Sequence, residues 1–253
     1  MQSDFTDSLR AAGLFLGLVG CLELWFTFGR RVRRRRGEAL DQLANIQGAT
    51  LGLLALLLGF SFALAAGRFS ERQKLIVDEA NAIGTAWLRC DLLPSGARAE
   101  VREWLRRYVE QRIAFYDAAT DQEQHAAVAE SEALQVKMWA AVSSAAQSSP
   151  AIANVLLPPF NEVIDLNGMR VAATARHMPT MLMALLLASS AVSVAAVGYG
   201  CGVAGKRNIV LTTALAFLIS GTLWAIIDMD HPRKGLIRVG QQPMLDLEKS
   251  LNR

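Results

Sequence analysis

The sequence predicts an all-α membrane protein: four transmembrane helices, with a helical extramembrane domain inserted between spans two and three. Apolar residues collect in four blocks, Ala11–Phe28, Gly48–Ala66, Pro179–Val203 and Ile209–Ile227, each holding at most one formal charge. Blocks of that length match a hydrocarbon core about 30 Å thick. The stretch 67–178 is charged, and its apolar residues recur at helical rather than alternating spacing. The whole chain of 253 residues is 52% hydrophobic with a mean hydropathy of +0.26, high for a soluble protein. These features divide it into a transmembrane hairpin at 1–66, a helical extramembrane domain at 67–178, a second hairpin at 179–227 and a C-terminal tail at 228–253.

The first span opens on MQSDFTDS, which is acidic, and its apolar run ends in Phe28-Gly29 followed by arginines. A secretory signal needs a basic start and a small-residue cleavage site, so an uncleaved anchor is expected. Gly13 and Gly17 form a GxxxG pair, a face that lets a neighbouring helix approach closely. Glu23 is the one acid within this block. At membrane depth it either faces a cavity or ion path, or it reaches the interface and pairs with Arg30. The six arginines of RRVRRRR at 30–36 then act as a topogenic signal that also touches anionic lipid. Their density puts the N-terminus outside. The wider count is less one-sided, with eight basic residues on their side and nine near span ends on the other.

The second span carries Gly48, Gly52 and Gly59, with Phe60 and Phe62 near its far end. Small residues along a stripe serve helix packing. The same pattern suits a pore-lining helix, with glycines giving room and a phenylalanine making an apolar constriction. No helix breaker occurs until Pro94, so one helix is expected to run out of the membrane into water, its apolar stripe formed by Ile76, Ala80, Ile83 and Trp87. A second amphipathic helix places Val101, Trp104, Leu105, Tyr108 and Ile113 on one face. A third, alanine-rich helix runs roughly from Gln122 to Ala146 and carries Trp139, and SSP at 148–150 breaks it. Pro158-Pro159 is expected to interrupt the chain again, so that the fourth helix starts near Phe160 and ends near His177. Span three ends in GYGCGVAG with Gly198 and Gly202 four apart. Lys206-Arg207 turn the chain into span four, and the tail reads as an ordered cap.

Several chemistries drop out. The region 67–178 holds 12 basic and 14 acidic residues, so its charge does not suit nucleic acid. The three cysteines and three histidines are scattered, which predicts neither a disulfide framework nor a metal site. No P-loop, GxSxG, HExxH or EF-hand pattern occurs, so neither catalytic residues nor a cofactor are expected and the chain does not read as an enzyme. Carboxylates do gather where spans meet the helical region: Asp78 and Glu79, then Glu162 and Asp165 with Asn161 and Asn167, then Asp228 and Asp230. Such groups either bind a hard cation such as Ca²⁺, with Asp78, Glu79, Asp228 and Asp230 as candidates, or pair with Arg68, Arg72, Arg89, Arg112, Arg170 and Arg233.

Three stretches resemble the bestrophin-like bacterial family: DEANAIGTAWLRCDLLP at 78–94, RYVEQR at 107–112 and DMDHPRKGLIRVGQQP at 228–243. The resemblance covers nearly the whole chain. It implies kinship with bestrophins, which are pentameric anion channels whose second span lines the pore with apolar and aromatic residues. Carried over, Phe60 with Leu56, Leu57 and Leu64 would form the constriction, next to Gly59. The expected function is therefore an oligomeric, anion-selective channel in a bacterial inner membrane, a multi-pass protein whose partners are lipid, small inorganic ions and further copies of itself. The alternative is a non-conducting assembly or sensor whose helical domain binds a partner or ligand through the apolar stripe of Val101, Trp104, Tyr108 and Trp139.

Overall fold

The computed structural model describes residues 2–33, 40–231 and 235–252, and the side chains of all these except 2–8, 40 and 41. Arg34, Arg35 and Arg36 of the basic run and Pro232, Arg233 and Lys234 of the tail lie outside the described residues. Among the described residues the chain is helical and has no strand. The helices are α1 (Gln2–Arg33), α2 (Leu40–Arg89), α3 (Ser95–Asp117), α4 (Asp121–Ser148), α5 (Pro150–Ala175), α6 (Thr180–Ala204), α7 (Ile209–Asp230) and α8 (Gln242–Leu251). Helices long and apolar enough to cross a membrane lie within Leu9–Arg33, Gln42–Leu92, Pro150–Ala204 and Ile209–Asp230.

Helix α2 is unbroken over 50 residues, roughly 75 Å at 1.5 Å per residue. A short 3₁₀ turn at Cys90–Leu92 and Pro94 end it, as the sequence predicts. Elsewhere the ends follow local chemistry. Thr120 Oγ1 accepts from the Glu123 N–H at 3.2 Å, while the Glu123 carboxylate accepts from the N–H groups of Ala119 and Thr120 at 2.8 and 3.1 Å. This capping box starts α4, and its backbone donors hold the Glu123 carboxyl below its ordinary range. Asn208 caps α7 through the Leu211 N–H, and Gly205 ends α6 with φ of 68°, a left-handed conformation open to glycine.

Two departures from expectation stand out. Pro158 and Pro159 do not interrupt α5, which starts at Pro150 rather than near Phe160. An interior proline costs a helix about 3 kcal/mol. Here Leu156, Pro159, Phe160 and Val163 are all buried, and that burial offsets the lost backbone bonds. The tail is also not one piece, since it divides between the two compact units of the chain.

The first unit comprises Met1–Phe69 and His177–Arg238. Its apolar core includes Leu22, Leu54, Leu186, Val194, Leu223 and Ile226. Helices α1 and α6 cross in close contact at Gly29, Gly198 and Gly202, where an added Cβ would collide with the backbone of the opposite helix. Gln47 Nε2 donates to the Ala196 carbonyl at 2.7 Å and Ser193 Oγ donates to the Thr50 carbonyl at 3.1 Å, tying α2 to α6. The glycine pair Gly13 and Gly17 does not make such a contact within the chain: nothing lies within 4 Å of a Cβ built at either position.

The second unit comprises Ser70–Arg176 and Val239–Arg253. Val101, Leu105, Tyr108 and Val109 of α3 are fully buried in it, together with Ile83, Val142 and Leu156. Arg72 closes α5 by donating from Nε to the Ala173 carbonyl at 3.0 Å and from Nη2 to the Arg176 carbonyl at 2.6 Å. Arg106 donates to the Leu251 carbonyl at the end of α8 at 3.0 Å, and Arg102 and Arg106 stack on Trp87 at 4.7 and 5.1 Å.

Candidate functional site

The membrane part of α2 has two contrasting faces. Leu54, Leu58, Ser61 and Ala65 point into the first unit. Leu53, Leu56, Phe60 and Leu64, at three- and four-residue steps, are each more than half exposed. Gly59 is exposed beside Phe60, and a Cβ built on it would meet nothing within 4 Å. Leu57 lies on the flank of this stripe, partly packed against the core. Leu56, Phe60 and Leu64 thus share a face with Gly59 at its margin, and Leu57 turns away. No charged residue occurs between Gly48 and Gly67.

The acids of the sequence meet two different environments. In the second unit, Glu79 is wholly buried. Its Oε1 accepts from the Tyr108 hydroxyl at 2.8 Å and from Arg112 Nε at 2.9 Å, and its Oε2 is bound by Arg170 Nη1. The network continues outward. Gln135 Nε2 donates to the Tyr108 oxygen at 3.2 Å, Asn167 Nδ2 donates to Gln135 Oε1 at 3.4 Å, and Arg170 Nη2 donates to Gln241 Oε1 at 3.3 Å. Two guanidiniums against one carboxylate leave a positive excess in a dry place. Arg112 lies over the Phe115 ring at 4.8 Å, which supplies part of the compensation. Burial, then the Glu79 charge, pushes the Tyr108 phenol well above its ordinary value, and burial lowers the Arg170 guanidinium. Asp78, one residue earlier, is half-buried and outside this network.

In the first unit, Asp228 and Asp230 are held chiefly by backbone. The Leu236 and Ile237 N–H groups donate to the two oxygens of Asp228 at 3.2 and 2.7 Å. Gly235 makes that wrap possible: its φ is 148°, and a side chain there would run into the Asp228 carboxylate. Asp230 accepts from the Met178 N–H at 3.0 and 2.9 Å and faces Arg68 Nη2 at 3.3 Å and His177 Nδ1 at 3.6 Å. Among the described residues no three His, Cys, Asp or Glu side chains converge as a metal-binding group. Glu23 pairs with Arg207 at 2.7 Å rather than with Arg30, because the α6–α7 turn delivers Arg207 onto Phe26 one helical turn away, at 5.1 Å from its ring.

Sequence reasoning named Arg112 and Arg170 as partners for acids but placed Tyr108 on an apolar stripe and passed over Gln135 and Gln241. The four-residue step from Tyr108 to Arg112 was the available signal, since it puts phenol and guanidinium on one face of α3.

The family model described as Bestrophin-like domain matches residues 14–244. Two solved structures resemble the fold, both crystal structures of a bacterial bestrophin homolog from Klebsiella pneumoniae, each carrying a different point mutation. One is 13% identical with a TM-score of 0.69, over 96% of this chain and 97% of its own. The other is 14% identical with a TM-score of 0.67, over 96% of both chains. A comparison with curated proteins finds no match.

Proposed function

The chain belongs to the bestrophin-like family, and from that premise we propose that it is an ion channel, an oligomer whose α2 helices line a path for small anions. The exposed stripe of Leu53, Leu56, Phe60 and Leu64, flanked by Gly59, carries the reading. It is apolar, as a constriction requires, and it is separate from the face that α2 spends on its own core. The first acid after Gly48 is Glu71, so the span offers a cation no carboxylate along its length, in keeping with anion passage. The chain would sit in a bacterial inner membrane as a multi-pass protein. Trp25, Phe28 and Tyr199 form an aromatic group beside Arg30 and Arg31, suited to a membrane interface.

Purified protein in a planar bilayer tests this. Anion currents are expected, and Phe60→Ala should raise unitary conductance by widening the constriction. Silence under every ion and voltage, with Phe60→Ala equally silent, would sink the proposal. The oligomer gives a second check: a ring with α2 at its axis is expected, and a monomer is incompatible. The alternative of a partner-binding sensor gains little, since Val101 and Tyr108 are spent on the core of the second unit and only the half-buried Trp104 and Trp139 remain.

A further inference from the structure

The three histidines stand far apart in the sequence, yet two of them meet in the first unit. His177 lies in the linker between α5 and α6, and His231 directly follows α7, with their ring centres 5.4 Å apart. Each ring is fixed by backbone. His177 Nδ1 lies 3.0 Å from the Asp230 carbonyl, and His231 Nδ1 lies 2.9 Å from the Ile227 carbonyl. Both carbonyls belong to the last turn of α7, where the helix offers them no N–H of its own. A carbonyl only accepts, so each Nδ1 carries the hydrogen and each neutral ring keeps its lone pair on Nε2. The linker is held in place as well, since the Met178 N–H donates to both oxygens of Asp230. His231 is exposed and so is half of the His177 side chain, which leaves both rings open to an ion from solvent.

We propose that His177 and His231 bind one late first-row divalent cation of the Zn²⁺ and Cu²⁺ type through their two Nε2 atoms, with water in the remaining positions. The inference is independent of conduction. A metal-bound imidazole donates its other N–H to a backbone carbonyl or a carboxylate, and both rings are already held in that state. The separation fits too. At a Zn–N bond of about 2.0–2.1 Å, a tetrahedral ion sets two imidazole centres about 5 Å apart, against the observed 5.4 Å. The ring planes differ by 27°, and the last torsion of histidine is soft, which lets the two planes close on a common ion. Imidazole selects the metal: paired ring nitrogens suit Zn²⁺, Cu²⁺ and Ni²⁺ and not the oxygen-seeking Ca²⁺ or Mg²⁺. Nearby charge does not decide the matter, because Asp230, 3.6 Å from His177 Nδ1, is itself faced by Arg68 at 3.3 Å. A bound ion clamps the linker before α6 to the end of α7.

The test titrates the untagged full chain in detergent with ZnCl₂ by isothermal titration calorimetry. One ion per chain is expected, with binding lost in His177→Ala and in His231→Ala and kept in His125→Ala. Zn²⁺ should also raise the Tm of wild type and leave that of the first two variants unmoved, since an ion that binds only the folded chain stabilises it. Cu²⁺ counts the ligands: pulsed electron paramagnetic resonance should resolve two imidazoles per ion in wild type and at most one in either variant. Both positions are exposed, so the variants should fold, with His177→Asn and His231→Asn as replacements where an alanine variant does not. No binding in wild type, unchanged Zn²⁺ affinity in either variant, or a single imidazole in the wild-type Cu²⁺ spectrum overturns the proposal. Displacement of Zn²⁺ by excess Ca²⁺ does so too, because it would make carboxylates the ligands. One ion for every two chains also overturns it, by assigning the metal to a site between copies.

Discussion

Glu79 in the second unit and Asp228 in the first are both buried carboxylates, and each sits in a stretch that resembles the bestrophin-like family. They are satisfied by opposite means. Asp228 takes backbone N–H donors from a loop eight and nine residues ahead, a local wrap that Gly235 permits. Glu79 takes side-chain donors from two other helices, 29, 33 and 91 residues away in sequence. Backbone donors carry no net charge, so losing the acid leaves ordinary N–H groups behind. Guanidinium donors do carry charge, and removing the acid strands it in the dry core. An acid of the first kind fixes a turn; an acid of the second kind holds a domain together.

Glu79→Gln separates the two cases most sharply. It keeps the shape but leaves Arg112 and Arg170 uncompensated, and breaking a buried pair in this way costs about 3–5 kcal/mol. Thermal unfolding followed by circular dichroism should show the largest drop in Tm of the set. A drop no greater than that of Asp228→Asn would break the comparison. Gly235→Ala comes next, at about 1–3 kcal/mol, because a left-handed backbone and a crowded carboxylate both resist the methyl group. Limited proteolysis near residues 228–238 should report it as faster cleavage. Asp228→Asn retains one acceptor oxygen, and a loss of about 1.5 kcal/mol is expected in the same thermal assay.

Tyr108→Phe gives the smallest effect at neutral pH, about 1 kcal/mol for one hydrogen bond. Its signature lies in alkali. The folded phenol keeps its proton beyond the point near pH 10 where the unfolded one loses it. The stability gained from this is whole below about pH 10 and declines as pH rises towards the folded value. Wild type should therefore lose stability above pH 10 more steeply than Tyr108→Phe, and equal slopes would count against the buried phenol. Cys90 offers a convenient gauge of opening. Its thiol is fully buried, and burial pushes its pKa up to about 11, so maleimide labelling at pH 8 should wait for the second unit to unfold.

Much of the fold was legible because the bilayer and helix periodicity write directly into composition. The four apolar blocks, the run from Gly48 to Pro94 without a breaker and the arrest at SSP each come from single-residue properties. The features that escaped depend on partners far away in the chain. Pro158-Pro159 reads as a break by its own chemistry, and only the buried side chains around it hold α5 together. The Gly13/Gly17 and Gly198/Gly202 pairs are identical as motifs. One crosses α1 and α6 closely, the other meets no neighbour within 4 Å, and nothing local distinguishes them. The partner of Glu23 was misjudged for the same reason: Arg30 is near in sequence, whereas Arg207 arrives through the turn after α6.

The Glu79 cluster also constrains how this sequence can change. Each of Glu79, Tyr108, Arg112 and Arg170 is tolerated because the others are present, so a change at any one is penalised while the rest remain. Replacing the charged members together with apolar side chains of similar volume removes the desolvation cost along with the attraction, and such swaps are often neutral or stabilising. The cluster is then an epistatic lock: every single step away from it descends, although a distant apolar solution lies at comparable height. A combinatorial library over these four positions, selected for expression, should recover the native set and wholly apolar sets, with few sequences between them.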